Sequence, residues 1–405
     1  REWWSAMIKG SAMQNFRYLL AGVVWSLPLL FGITSTAGER DLAKKPKCQA
    51  DLCVGPGHKI RKPSEAAQIA TDGQTVHIDA GDYVGDVAMW PQNNLTIRGI
   101  NGRAHLIANG VNFGGKGTWI IKGSNTTIEN VEFSGARVAH RNGAGIRFEG
   151  KDLTIRNCYF HHNENGILGG NGDEGDVLIE NSEFAYNGFG DGQSHNIYIG
   201  RIGRLTVRFS YLHHAKVGHN LKSRARENHI MYNRIIDEAD GTASYEVNLP
   251  EGGLAYLIGN VIQQGPKTEN STIISYGEEG LRKAPHEFYF ASNSVINDGP
   301  RDSRFIRIKS GTEMAVVVNN VFAGPGKLLE GFGDLRNNLV VDKSDFVAAD
   351  KYSYLLTAKS PAIDAGIDPG EIRGVALTPS FQYVHPLQSA QRKIDQRLDL
   401  GAFEQ

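Results

Sequence analysis

Three cysteines in 405 residues are too few for a disulfide scaffold or a four-thiolate zinc site. An excess of either charge is also missing. With 43 Lys+Arg against 44 Asp+Glu and a formal net charge of -1, no global field recruits nucleic acid or an anionic membrane. Proline is sparse, at 14 residues, and no apolar run beyond the N-terminal stretch resembles a membrane span. Disorder is excluded by composition, because 40% of the chain is hydrophobic and only 21% charged, which supplies enough apolar surface to bury. Glycine is the one residue in surplus, 48 in all, or about 12% against a usual ~7%.

The N-terminal stretch reads as an export leader. Met7 and Met13 are candidate starts, Arg17 gives a basic flank, and the apolar run from Tyr18 to Gly32 is followed by Ser35-Thr36-Ala37. A basic flank, a short apolar core and small residues are the parts of a secretory signal peptide. The run falls short of the ~20 residues that span a bilayer, and Pro28 interrupts it. Residues 1–37 are therefore expected to be a signal peptide region, 38–60 a linker, and 61–405 the folded domain of a protein exported to the periplasm or beyond the cell. Export permits a Cys48–Cys53 disulfide, and Cys158 is expected to pack inside.

From residue 95 one phrase recurs: Leu95-Thr-Ile-Arg-Gly-Ile100, Thr126-Thr-Ile-Glu-Asn-Val-Glu-Phe133, Leu153-Thr-Ile-Arg-Asn-Cys-Tyr-Phe160 and Val177-Leu-Ile-Glu-Asn-Ser-Glu-Phe184. Looser copies continue to Leu335–Val341, with Asn at 130, 157, 181, 233, 260, 293, 320 and 338 and Phe209 standing in once. Spacings of about 24 to 33 residues are those of solenoid coils. Alternating apolar and polar residues with β-branched centres make each phrase a strand. The Asn suits a left-handed bend, where stacked side chains can hydrogen-bond along the ladder. Pro63-Ser-Glu-Ala-Ala-Gln-Ile-Ala70 reads as a short amphipathic helix capping the first strand. The expectation is an all-β parallel β-helix of about ten coils, on the order of 50 Å long at ~4.8 Å per coil.

These phrases, with Asp72-Gly-Gln-Thr-Val-His-Ile-Asp-Ala-Gly-Asp-Tyr83 as a first coil and Ser360–Gly366 and Asp399–Glu404 as closing phrases, resemble the right-handed parallel β-helix proteins of the pectate-lyase-like superfamily. The resemblance covers about residues 60 to 405 and implies a right-handed helix. Function does not follow from it, since the fold hosts lyases, hydrolases, epimerases and binders.

Chemistry-bearing residues concentrate between 195 and 250. Aligning the strands that precede each phrase by their apolar residues puts Ile197, Leu221 and Val247 inside. Two outward columns then follow, Asn196–Asn220–Glu246 and Tyr198–Lys222–Asn248. His195 and His219 precede two of these strands, and Arg224 and Arg226 follow Lys222. Adjacent coils lie about 4.8 Å apart, so the columns merge into one polar patch. Such a patch suits an anionic sugar: a cation neutralises the uronate carboxylate, a base removes the C5 proton, and an acid protonates the departing O4.

The run Asn220-Leu-Lys-Ser-Arg-Ala-Arg-Glu-Asn-His-Ile-Met-Tyr-Asn233 resembles a coil of the alginate lyase and chondroitinase B family and places that family's lysine base on Lys222. The family's arginine phrase has no counterpart, since the chain reads Ser244-Tyr-Glu-Val-Asn-Leu-Pro250 there, and Arg224 or a later arginine is the candidate substitute. The expected catalytic residues are Lys222, Arg224 and His219, with Tyr198, His195, Asn196, Asn220, Arg226 and Asn248 binding substrate. Glu246 is the expected metal ligand, with calcium as its ion because hard oxygens suit it.

Paired aspartates for a hydrolase and an Asp-Pro-His-Asp epimerase signature are not found on these strands. His161-His162 and His213-His214 are neighbours that face opposite sides of a strand unless the chain bends, so they read as turn residues. The expected activity is a polysaccharide lyase acting on an acidic glycan as a monomer, with no nucleic-acid partner and, once the leader is removed, no membrane partner. A non-catalytic polysaccharide-binding or envelope structural protein is the alternative. N-terminal sequencing of exported protein should find the chain starting just after Ala37; a start upstream of Tyr18 would contradict processing.

Overall fold

In the computed structural model residues 48–405 are described, and the leader expected over residues 1–37 lies outside them. The repeated phrase folds as its alternation dictates. Its central apolar residues stack in register from Ile97 through Ile128, Ile155, Ile179 and Val207 to Val317, and all of these are fully buried. Phe133, Phe160 and Phe184 stack behind them with ring centroids 5.0 and 4.6 Å apart. Coil pairs with coil in parallel throughout, in one sheet of 21 strands and a second of 10, to give an all-β solenoid of about ten turns. Among the described residues no helix is long and apolar enough to cross a membrane.

The helix Pro63–Ile69 begins on proline, whose fixed φ and missing N–H suit a first turn, and it buries Ala66 and Ala67 in the core. The strand Leu52–Val54 already pairs in parallel with Thr75–Val84, so coil structure starts before residue 61. Cys48 and Cys53 form a disulfide. Cys158 is a buried free thiol, and burial pushes its pKa up to about 12.

The recurring asparagines are two columns rather than one. Asn130, Asn157 and Asn181 take the left-handed conformation, with φ of 57, 50 and 46°. In later coils Phe209, Tyr232, Gly259, Ser292, Asn319 and Asn337 hold that conformation. Asn233, Asn260, Asn293, Asn320 and Asn338 lie one residue further on and turn inward. Asn260, Asn293, Asn320 and Asn338 each accept two hydrogen bonds at Oδ1 from the coil before, as Asn260 does from the Asn233 backbone N–H and Nδ2, both at 3.0 Å, while Asn233 accepts one from the Ser210 N–H. The same inward position is filled by Cys158, Ser182 and Ser210 in earlier coils.

Repeated coils stop at Leu339–Val341 rather than running to residue 405. The remaining chain forms three antiparallel hairpins, Phe346–Ala348 with Ser353–Leu356, Glu371–Ile372 with Val375–Ala376, and Phe381–Val384 with Gln388–Gln391. It covers an outward apolar stripe of Tyr211, Ile236, Val261, Ile296 and Val321 with Tyr354, Leu356, Tyr383 and Leu400. Strands such as Leu254–Ile258, buried at every residue, have this covering to thank for an apolar outer face.

The two columns differ in what they do, and substitution should separate them. Asn260→Ala leaves several backbone and side-chain partners unmade inside the core, at about 1–3 kcal/mol for each group stranded, and should lower the thermal midpoint sharply. Asn157→Gly keeps the left-handed backbone free and should cost less than about 1 kcal/mol. Equal midpoint losses for the two variants would refute this division.

Candidate functional site

The outward column exists. Tyr198 pairs in register with Lys222, and Lys222 with Asn248, because Ile197, Leu221 and Val247 anchor the same inner position and are fully buried. The column continues to Ser275 on the strand Thr272–Tyr276 and to Arg307 beyond it.

Lys222 and Arg224 converge on Glu279. Lys222 Nζ lies 3.1 Å from Glu279 Oε1, and an Arg224 Nη lies 2.5 Å from Glu279 Oε2. Arg224 also donates to Glu251 at 2.8 Å and, through Nε, to the Tyr198 hydroxyl at 3.0 Å. The two side chains are only 13% and 14% exposed while Glu279 is 42% exposed, so an exposed carboxylate closes over two largely buried basic groups. Both cations also lie over the Tyr198 ring, 5.4 and 5.8 Å from its centre. Burial works against the Arg224 charge, but its bonds to Glu279 and Tyr198 outweigh that and raise its pKa further. Burial would raise Glu279 too, yet the hydrogen bonds from Arg224 and Lys222 hold it below the usual carboxylate range.

Beside the clasp, a small cleft of about 30 Å³ is bounded by Arg201, Arg226, Arg282 and Lys283 together with Arg224 and Glu251. Arg201 grips Glu251 with two bonds of 2.9 and 2.6 Å. Arg226 is exposed and lines this cleft rather than the column.

His219 and His195 are buried and in ring contact, with centroids 4.4 Å apart and planes tilted by 40°. Burial, and next the charges of Lys222 and Arg224, push the His219 pKa down to about 3. Burial and its neighbours His219, Lys222 and Arg224 hold His195 well below the ordinary value. Both imidazoles are therefore neutral at ordinary pH. His195 Nδ1 accepts the His219 backbone N–H at 2.9 Å and its ring abuts Tyr198. It supports the site from behind and does not face a ligand. Asn248 is fully buried under Glu278, donating to Glu278 Oε1 at 2.7 Å, and its Oδ1 has no hydrogen-bond partner among the described residues.

The second expected column is overturned. Asn196, Asn220 and Glu246 are fully buried and face inward, because the corner into each strand has not yet set up strict alternation. Asn196 Nδ2 donates to the His213 carbonyl at 2.8 Å and to Asn220 Oδ1 at 2.6 Å. Asn220 Nδ2 in turn donates to Asp237 Oδ1 at 3.1 Å and Glu246 Oε2 at 2.6 Å. They form an internal polar rail, not a substrate surface. Glu246, the expected metal ligand, is sealed there. Burial and the nearby Asp237 raise its pKa well above the ordinary value, which favours its protonated form. Asp237 rises to about 6, chiefly through burial.

Several site residues escaped the sequence reading. Glu278 and Glu279 sit in the turn after Thr272–Tyr276, and Tyr245 and Ser275 bind Glu278 Oε2 at 2.7 and 3.1 Å. The strand alignment passed over Ser271-Thr-Ile-Ile-Ser-Tyr276, although its Ile274 continues the inner column directly. The bracketing glycines Gly277 and Gly280, at φ 80 and 111°, were the local signal for a turn reaching over the patch.

The buried acid generates a stability prediction. The folded pKa of Glu246 lies above the unfolded value, so the native chain keeps a proton that the unfolded chain releases, and stability falls as pH rises through that window. Glu246→Gln removes this loss. The variant should melt at least about 2 °C higher than wild type at pH 8, with the gain shrinking toward pH 4; a gain independent of pH would contradict a protonated Glu246.

No protein-family model matches the chain, and no curated protein matches it in sequence. Among solved structures, a pectate lyase, Pel9A, is 15% identical with a TM-score of 0.59, over 84% of this chain and 90% of its own. A pectin methylesterase mutant in complex with a hexasaccharide is 10% identical with a TM-score of 0.34, over 78% of this chain and 95% of its own. At these identities the likeness concerns the fold alone, and with the stacked, in-register coils it shows that this chain shares the parallel β-helix fold of that pectate lyase.

Proposed function

We propose that the protein acts on an acidic polysaccharide, cleaving a uronate-containing glycan by β-elimination at the Tyr198–Lys222–Arg224 face. The observation that carries this reading is the Glu279 carboxylate held between Lys222 and Arg224. A uronate carboxylate has the same charge and the same two-oxygen geometry, and it can take that place when the Gly277–Gly280 turn withdraws. Arg224 then neutralises the bound carboxylate, which acidifies the neighbouring C5–H. Lys222 Nζ, as the neutral amine with its ammonium proton already passed to solvent, receives the C5 proton, the electron pair forms the C4–C5 double bond, and the C4–O4 bond breaks. Tyr198 accepts a hydrogen bond from Arg224 Nε, which leaves its own proton free for the departing O4. Neutral His219 adds no charge to this step and packs beside Asn248, with Nδ1 3.4 Å from Asn248 Nδ2. Arg201, Arg226, Arg282 and Lys283 give flanking acidic units a cationic wall. The pectate lyase whose fold resembles this one acts on an acidic polymer by its printed name, which agrees with this substrate class.

Ultraviolet absorbance from a new unsaturated uronate tests the reading, as only elimination creates that chromophore. Purified protein given polygalacturonate, alginate or a uronate-containing glycosaminoglycan should generate it with at least one of them. Lys222→Ala should lower the rate by about 10²-fold or more with the melting temperature little changed, because the side chain faces outward. Wild-type rates from Lys222→Ala would remove the lysine from the chemistry. Binding without absorbance change would replace the lyase with the binding protein that composition and export equally allow.

A further inference from the structure

A second constellation lies on the 21-stranded sheet, away from the Lys222 face. His105 on the strand Thr96–Ile107 stands in register with Glu132 on Val131–Ser134, and His161 on Tyr159–His161 stands in register with Ser134, two residues along the same face. Glu132 Oε1 is 3.0 Å from His161 Nε2 and 3.5 Å from His105 Nε2. One carboxylate oxygen and two imidazole nitrogens thus converge on one point, each side chain between 17% and 21% exposed, which leaves a solvent route in. We infer that His105, Glu132 and His161 bind a zinc-class divalent metal ion.

The donor set and its spacing both favour that ion. Imidazole and carboxylate at 2.0–2.2 Å from a tetrahedral zinc stand about 3.4 Å apart, so shifts of a few tenths of an ångström bring these three into coordination. Two imidazoles among three donors favour zinc-class ions over calcium or magnesium, which prefer all-oxygen sets. Three protein ligands leave a fourth position for water, with the Ser134 hydroxyl 2.8 Å from His105 Nε2.

The outer partners point the same way. Metal-bound histidines usually have the other ring nitrogen held by a hydrogen bond, which fixes ring and tautomer. His105 Nδ1 lies 3.2 Å from Asp82 Oδ1, and His161 Nδ1 lies 2.9 Å from His162 Nδ1. The second contact needs the left-handed His162, at φ 56°, which turns two neighbouring rings toward each other. The histidine pair does lie at a turn, as its sequence suggests, and the turn supplies the bend that strand geometry alone denies it.

The chain carries its own control. Two coils on, His213 Nε2 meets Glu183 Oε1 at 3.3 Å, and His213 Nδ1 meets His214 Nδ1 at 2.7 Å, with His214 also left-handed at φ 52°. There Tyr159 stands in register with Glu183, in the place His105 takes beside Glu132. That pair has two donors and lacks the third.

Equilibrium dialysis of the full chain against micromolar Zn²⁺, with bound metal counted by mass spectrometry, tests the site. Wild type should retain one equivalent in the presence of millimolar Ca²⁺, and Co²⁺ in its place should give the visible bands of a four-coordinate site. A His105→Ala/His161→Ala double variant should lose that equivalent while keeping its circular dichroism and melting curve. Asp82→Asn should weaken binding about 10- to 100-fold, and Glu183→Gln should leave it unchanged. No retained zinc in wild type, undiminished zinc in the double variant, or displacement by Ca²⁺ would each overturn the inference.

Discussion

Parallel hydrogen bonding between successive coils is the constraint from which the rest of this molecule follows. It repeats a strand position every coil, so a residue type chosen once is presented again one coil later. Inside, that makes the continuous apolar column from Ile97 to Val317. Outside, it makes the Tyr198–Lys222–Asn248 column and the His105–Glu132 pair. Neither grouping is close in sequence. Both are separated by whole coils, and only register brings them within reach.

Register was legible in the amino-acid sequence wherever strands keep strict alternation. The apolar neighbours Ile197, Leu221 and Val247 fix their own inward direction, and with it the outward direction of Tyr198, Lys222 and Asn248. Corners were not legible, because backbone conformation there decides direction and alternation says nothing about it. Asn196, Asn220 and Glu246 are polar residues at the entrance to a strand, and polarity alone suggested solvent. Their hydrogen bonds to one another and to Asp237 satisfy them inside instead. The one-residue offset between Asn181 and Asn233 escaped for the same reason: both are Asn after a strand, one bent into the left-handed region and the other turned inward to bond the next coil.

Buried polar groups are costly unless paired, and this core contains many. The inward Asn series answers that cost by continuity: each Oδ1 takes donors from one coil while Nδ2 donates to carbonyl or amide oxygens of its neighbours. The Asn196–Asn220 rail ends differently, on two carboxyls, and one oxygen of Glu246 finds no partner among the described residues. The Glu279 turn is tied to the solenoid by Glu278, which accepts from Asn248, Tyr245 and Ser275, and by the Gly277 and Glu279 backbone N–H groups, which donate to the Leu249 and Pro250 carbonyls.

The closing segment, residues 342–405, has a consequence for how the solenoid comes apart. In repeat architectures each unit touches only its neighbours, so stability resembles a one-dimensional chain of coupled units and ends can fray coil by coil. Here one stretch of chain touches many coils at once. Asn181 Nδ2 donates to the Leu387 carbonyl, Arg234 to that of Tyr352, Tyr256 to that of Ile372, and Asn319 to that of Ile367. Coils separated by more than a hundred residues therefore share a single strap. Loosening the last coil means peeling the strap from all of them, which converts piecemeal fraying over this half of the molecule into one cooperative event. Among the described residues its hydrogen bonds begin at Asn181, so the coils before that point keep the nearest-neighbour behaviour of an ordinary solenoid.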